Sequence, residues 1–220
     1  MIHRALAIPD RIIWVNPINI EYAIFNMSKK ILGNRKVRGG YWDQIKVPVK
    51  KKIGYLFYEE VFVEGLTPEN TTAFAYWKRL VKSGVHWRGC NNVTDITERI
   101  IPEKLLLYDS ISRRGFLEPE EITRLENTSS TGNYVSVCIA RNGEILFGPG
   151  GINRLAIAKI LGIDRIPVKV RLRHSEWQRT RQYASTLASR EKKRSHSVIH
   201  PDVFELHHPD LRDIVDAVYE

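Results

Sequence analysis

Cysteine is scarce in this chain: Cys90 and Cys138 are the only two among 220 residues. Two thiols cannot build a disulfide framework, so the sequence points to a reducing, cytoplasmic setting. Long apolar stretches are missing too. No run approaches the roughly 18 residues that a membrane-spanning helix requires, which argues against a membrane partner. The opening residues Met1 to Asp10 carry Arg4 but only Ala5-Leu6-Ala7-Ile8 before Pro9, too short for the apolar centre of a secretory signal. A Walker loop, a Rossmann fingerprint, internal repeats and low-complexity tracts are also lacking. His200, His207 and His208 have no neighbouring Cys or Asp at metal-ligand spacing.

What the chain has in excess is base. Lys and Arg number 34 against 25 Asp and Glu, a net charge of +9, while 43% hydrophobic and 27% charged residues are ordinary for a globular protein. The length suits a single domain with a substantial core. The excess is concentrated. Lys29, Lys30, Arg35, Lys36, Arg38, Lys46 and Lys50-Lys51-Lys52 are opposed only by Asp43, a local net of +8. Arg165, Lys169, Arg171, Arg173, Arg179, Arg181, Arg190 and Lys192-Lys193-Arg194 are opposed by Glu176 and Glu191, again +8. Two such segments on a mildly acidic body form a phosphate-binding surface if they meet in space, and two solvated faces if they do not.

Patterning predicts a mixed α+β chain. Arg11 to Val15 reads as a strand stopped by Asn16-Pro17, and Pro17 to Tyr22 as a turn and a short extended piece. Gly33-Asn34 and Gly39-Gly40 punctuate a loop with some strand around Ile45 to Val49, and Tyr55 to Val63 reads equally as strand or helix. Thr67-Pro68 is a helix start, with Phe74, Trp77, Leu80 and Val81 on one face and an end at Ser83-Gly84. Thr94 to Arg114 is helical in phase, with Pro102 expected to kink or divide it and Gly115 to end it. Glu118-Pro119-Glu120 starts a further short helical stretch, and 127–132 is a polar loop. Tyr134 to Ala140, Arg141-Asn142-Gly143 and Glu144 to Phe147 make a hairpin, Ile152 to Leu161 a helix closed by Gly162, and Arg165 to Leu172 a strand. A last long helix opens at Ser175, with Ser175 and Gln178 spaced as a capping box.

The informative unit is Gly148-Pro149-Gly150-Gly151 immediately before a helix. Glycines there let backbone amides approach an anion, and the helix start adds unpaired N–H groups and partial positive charge. Asn153 and Arg154, in the first turn, can reach the same phosphate. A glycine-rich turn that merely packs helix against strand explains the same residues. Asp43, inside the first basic loop, is either a turn aspartate paired with Arg38 or a ligand for the Mg²⁺ that accompanies a nucleotide. Glu59-Glu60 read as solvated, His174 as a linker residue, and Trp77, Trp87 and Trp177 as core.

Gly151-Ile152-Asn153-Arg154 opening an Ala-rich helix, closed by Leu161-Gly162 and followed by Ile166-Pro167-Val168, resembles the ParB/sulfiredoxin superfamily. Leu107 to Gly115 is similar to that family's helix before the hairpin, and Ile12 to Val15 with Pro17 to its first strand. Arg38-Gly39-Gly40-Tyr41-Trp42-Asp43 is similar to a prokaryotic and viral subgroup. The resemblance implies an α+β fold with a small mixed sheet packed with helices. Its core lies at 11–22 and 105–172, with an insertion over 23–104 and a basic C-terminal helix and tail over 173–220. It further implies ATP or CTP, with Mg²⁺, at Gly148, Gly150, Gly151, Asn153 and Arg154. Family members differ in chemistry, from DNA clamp to sulfinic-acid reductase, serine kinase and nuclease, so the fold alone does not choose among them. The reductase is rejected because Ile152 stands where it needs Cys, and Cys138 falls in a strand. Asn153 replaces the usual His and Gly150 the usual acid, which weakens a kinase reading, and no helix-turn-helix follows Leu172. The readings carried forward are a nucleotide-binding protein, as a phosphotransferase on a small substrate or as a non-catalytic accessory, and a DNA-binding protein or nuclease. The latter would use Lys50, Lys51, Lys52, Arg171, Arg173, Arg179 and Arg181 on phosphates.

Overall fold

A computed structural model describes residues 11–25, 36–116, 134–193 and 207–219. The short helical stretch at Glu118, the polar loop at 127–132, Gly33-Asn34 and the bases Lys29, Lys30, Arg35 and Arg194 lie outside the described residues. The fold is α+β, and among the described residues it has a seven-stranded mixed sheet and six helices of eight residues or more. The strands are β1 (Ile12–Val15), β2 (Tyr22–Ile24), β3 (Val37–Arg38), β4 (Lys46–Pro48), β5 (Val135–Ile139), β6 (Ile145–Phe147) and β7 (Ile166–His174). The helices are α1 (Ile53–Phe62), α2 (Thr72–Lys82), α3 (Ile101–Arg114), α4 (Ile152–Ile160), α5 (Ser175–Lys193) and α6 (Arg212–Tyr219). Among the described residues no helix is long and apolar enough to cross a membrane.

The sheet runs β1-β7-β5-β6-β2-β4. Nine-residue β7 is long enough to serve two partners on top of β5. Its start pairs antiparallel with β1 (Ile13 opposite Val168) and its end parallel with β3 (Val37 opposite Arg173). The two basic segments therefore meet at the β3–β7 ladder. β5 and β6 form the expected hairpin around Asn142-Gly143, with Cys138 opposite Leu146. Alternate positions of β5 sort to two faces. Val135, Val137 and Ile139 enter the main core, while Cys138 and Ala140 join Leu146, Leu172 and Ile24 in a smaller cluster. Burial pushes the Cys138 thiol up to about 12, so it is an inert core residue.

Three local expectations move. The strong helix start falls four residues later than Thr67: Pro68–Asn70 forms a 3₁₀ turn, and Thr71 caps α2 by accepting from Phe74 N at 3.0 Å. Glu60, read as solvated, is buried and accepts from Thr72 N at 2.7 Å, which supplies the acceptor for that helix start. Pro102 does not divide its helix. A π-helical turn, Ile96–Ile100, precedes α3, and Pro102 occupies the first turn of α3, where its missing N–H costs little. Tyr55 to Val63 resolves as helix, its faces covered by α2 and α4.

The C-terminal region departs most from a solvated basic tail. Arg173 and Arg181 are fully buried, and Asp210, with 0% exposure, sits between them. Arg173 donates to Asp210 through Nε (2.8 Å) and Nη2 (2.6 Å), and Trp177 Nε1 donates at 3.0 Å. Arg181 pairs with Asp213 at 3.1 Å, and Arg11 on the approach to β1 pairs with Asp213 at 2.6 Å. Burial alone would push the Asp210 carboxyl up, but the Arg173 hydrogen bonds and the charges of Arg173 and Arg181 hold it below the ordinary aspartate value. His174 is likewise buried and no linker. Its Nδ1 accepts from Glu176 N at 3.2 Å, taking the capping role that Ser175 was expected to fill.

Asp210→Ala leaves the Arg173 guanidinium buried without its carboxylate and is expected to cost about 3–5 kcal/mol of stability at pH 7. The lowered carboxyl contributes above its unfolded pKa, so wild type loses this increment as acid titrates Asp210 below the ordinary aspartate range. Equilibrium denaturation at pH 7 and at pH values below about 4 measures both effects.

Candidate functional site

The glycine run lies along β5. Gly148 N donates to Ser136 O (2.7 Å), and Ser136 N donates back to Gly150 O (2.9 Å), so the loop after β6 is stitched to the strand. Gly151 has φ +90°, and a Cβ on it would stand 2.6 Å from Val135 Cα and 2.7 Å from Tyr134 O. Only glycine fits. Gly151 is the N-cap of α4, with no side chain capping the helix. The first intrahelical bond runs from Leu155 N to Gly151 O, so the amides of Ile152, Asn153 and Arg154 precede the ladder.

From the other side, α1 closes over this turn. Gly54, in the first turn of α1, approaches so closely that a Cβ there would meet Ile152 Cγ2 at 2.7 Å and Asn153 Oδ1 at 3.0 Å. Lys50 and Lys51, both exposed, and Lys52 immediately precede α1. The end of the first basic segment thus stands beside the helix that packs on α4.

The main finding at this turn is Lys104. It comes from α3, is only 3% exposed, and donates from Nζ to Asn153 Oδ1 at 3.0 Å. Its ammonium lies over Trp77 (4.9 Å), Phe57 (5.1 Å) and Tyr58 (5.3 Å), an aromatic box contributed by α1 and α2. Among the described residues no carboxylate lies within ion-pair distance of it. Burial brings its pKa down to about 7, Arg88 pushes in the same direction, and Glu103 opposes them. Tyr58 donates its hydroxyl to Lys104 O at 3.3 Å, and burial raises its pKa steeply against the charges of Arg154 and Arg88. The charges of Arg154 and Arg88 thus act on the same buried tyrosine whose ring lies under Lys104.

Helical phase carried a signal for Lys104. It stands four residues after Ile100, on the face the periodicity buries, but a lysine there reads as solvated unless its partner is known. Arg88 gave no signal at all.

The other named residues fall elsewhere. Asp43 is buried and clamps the hairpin turn: its Oδ2 accepts from Arg141 N and Nε, both at 3.0 Å, and its Oδ1 from Nη2 at 2.9 Å. Burial raises its carboxyl, and the Arg141 hydrogen bonds override this and hold it at about 2. The partner is Arg141, not Arg38, and the carboxylate is committed to it. That does not fit a Mg²⁺ ligand. No group of three or more His, Cys, Asp or Glu among the described residues is placed to hold a metal ion. Of the cations expected on nucleic acid, Lys50, Lys51 and Arg179 are exposed, and Lys52 and Arg171 are half-buried. Arg173 and Arg181 lie inside the Asp210 cluster, which corrects their reading as surface cations.

No protein-family model, curated protein or solved structure matches the chain.

A buried ammonium with no carboxylate beside it opposes folding. Lys104→Met is therefore expected to raise stability at pH 7 by about 1–2 kcal/mol. Wild-type stability should also rise as the pH climbs from about 7 towards the free-lysine value near 10. The unfolded chain still binds the proton over that range while the folded chain has released it, and the variant loses this dependence. Denaturant titrations across that pH range check the sign, and a variant less stable than wild type throughout would make Lys104 a structural residue.

Proposed function

We propose that this chain binds the phosphates of a nucleotide, ATP or CTP, at the N-terminal turn of α4, with Lys104 and Arg154 as cationic contacts. The observation that carries the reading is the Lys104 ammonium, buried against Asn153 at a helix N-terminus with no carboxylate beside it. The buried Lys104 ammonium and the helix start put positive charge in one place, and an anionic ligand supplies a negative charge beside it. Phosphate suits this donor set, with backbone amides beyond a left-handed glycine, one compact ammonium and one planar guanidinium. The resemblance of 105–172 to the ParB/sulfiredoxin superfamily points to the same turn. Any Mg²⁺ travels with the triphosphate, since Asp43 is bound to Arg141. The alternative of a long nucleic acid is less well supported, because Arg173 and Arg181 are consumed by internal ion pairs.

Thermal-shift and calorimetric titration with ATP and CTP, with and without Mg²⁺, test the reading. Saturation at 100 times Kd stabilises by about 2.7 kcal/mol. Arg154→Ala is expected to weaken binding roughly 10- to 100-fold, the value of one charge-assisted contact. A bound anion favours the protonated form of Lys104, whose pKa is lowered to about 7, so binding should take up about half a proton near pH 7 and close to one about a pH unit higher, and affinity should fall as pH rises through that range. Titrations in buffers of different ionisation enthalpy measure the uptake, which Lys104→Met abolishes. Binding of neither nucleotide at millimolar concentration would refute the reading.

A further inference from the structure

The inserted segment brings a second cation to the same place. Arg88 is the sole non-glycine among the described residues with positive φ, at +49°, a conformation that side-chain-bearing residues seldom adopt. Its turn is held on every side. Trp87 and Cys90 close an isolated antiparallel bridge, with Cys90 N donating to Trp87 O at 2.9 Å. Arg99, on the π-helical turn that leads into α3, donates from Nη2 to Arg88 O (3.0 Å) and to Cys90 Sγ (3.3 Å). Trp87 stacks on Trp77 with ring centroids 5.0 Å apart and planes within 13°. Trp77 is one of the three rings over the Lys104 ammonium. The tip of the turn is thereby tied to the wall of the Lys104 box.

The side chain at that tip is half exposed. Its nearest carboxylate among the described residues is Glu103, at 3.9 Å, an exposed pair at the limit of ion-pair distance and so of little energetic consequence. Its guanidinium also lies over the Trp87 ring at 5.9 Å, on the aromatic stack that leads through Trp77 to the Lys104 ammonium. Two backbone irregularities, the left-handed Arg88 and the π turn carrying Arg99, thus converge on one arginine whose own ion pair is weak. A planar fork carried on a fixed turn beside this aromatic stack is suited to a second anionic group.

We propose that Arg88 is a specificity residue, contributed by the inserted segment, that contacts a second phosphate and so makes the α4 site select polyphosphates over a single phosphate. This rests on the reading of the α4 turn as a phosphate site. Lys104 and Arg154 hold the phosphate seated on the helix, and Arg88 holds its outer neighbour.

The test uses the full chain with sodium tripolyphosphate and orthophosphate as probes, which removes any contribution from a nucleobase. Arg88→Gly is the informative variant, because glycine tolerates φ near +49°. The turn survives and the thermal midpoint is expected to be unchanged or higher. Tripolyphosphate affinity should fall roughly 10- to 100-fold, the equivalent of one charge-assisted contact, while orthophosphate affinity stays within about twofold. Arg88→Lys, which keeps the charge but loses the fork, should recover only part of the difference. Arg154→Ala should weaken both anions together and so reports on the α4 site itself. Equal loss of both anions in Arg88→Gly, or loss of neither, overturns the role of Arg88 while Arg154→Ala leaves the site reading standing. If wild type binds neither anion, the site reading falls and this inference falls with it.

Discussion

The first turn of α4 is held between two backbones. On one side Gly151 lies against β5, where any Cβ would strike Val135 and Tyr134. On the other, Gly54 of α1 leaves no room for a Cβ against Ile152 and Asn153. Everything else near the site follows from this double contact. It fixes the depth of α4 beneath α1, brings the aromatic rings of α1 and α2 to Lys104, and leaves the helix start without a side-chain cap. The glycines satisfy a packing requirement first. The same lack of side chains keeps the leading amides of α4 uncovered by any cap of their own.

Charge in this protein is arranged by contacts far apart in sequence, and that explains which parts of it were legible. The β5–β6 hairpin, α4 and β7 depend on local chemistry: an Asn-Gly turn, glycines before a helix, a run of alternating apolar residues. These could be read directly. The Asp210 cluster could not, because Arg173 finds its carboxylate 37 residues away and Arg11 meets Asp210 across 199. An arginine whose partner lies outside the window reads as a solvated base. The short α6 and the buried Asp210 in the turn before it were missed for the same reason.

The candidate site was legible by half. Gly148 to Arg154 could be named from the sequence, since a glycine run opening a helix is a local pattern. Lys104 reaches Asn153 from α3, and Arg88 pairs with the neighbouring Glu103 from the turn before the π-helical segment, contacts that only the fold brings about. Asp43 shows the opposite failing. Its company of bases suggested a ligand, whereas Arg141, 98 residues on, takes both of its oxygens. The net charge of +9 is therefore a poor measure of the surface, because two of its arginines are sealed with their aspartates and a lysine is sealed without one.

The three residues of the β5–β6 turn join the remote parts of the chain. Arg141 receives Asp43 of the inserted segment, and Gly143 O accepts from His208 Nε2 (2.8 Å), whose Nδ1 in turn accepts from Asp210 N (3.0 Å). These links span 98 and 65 residues, whereas the hairpin itself closes within a few. Loop-closure entropy then sets an order of events during folding: the hairpin forms as a local unit, and the two distant segments dock on its turn afterwards. A weakened clamp at Asp43 or His208 would therefore shorten the lifetime of the folded state while leaving the rate of reaching it nearly unchanged.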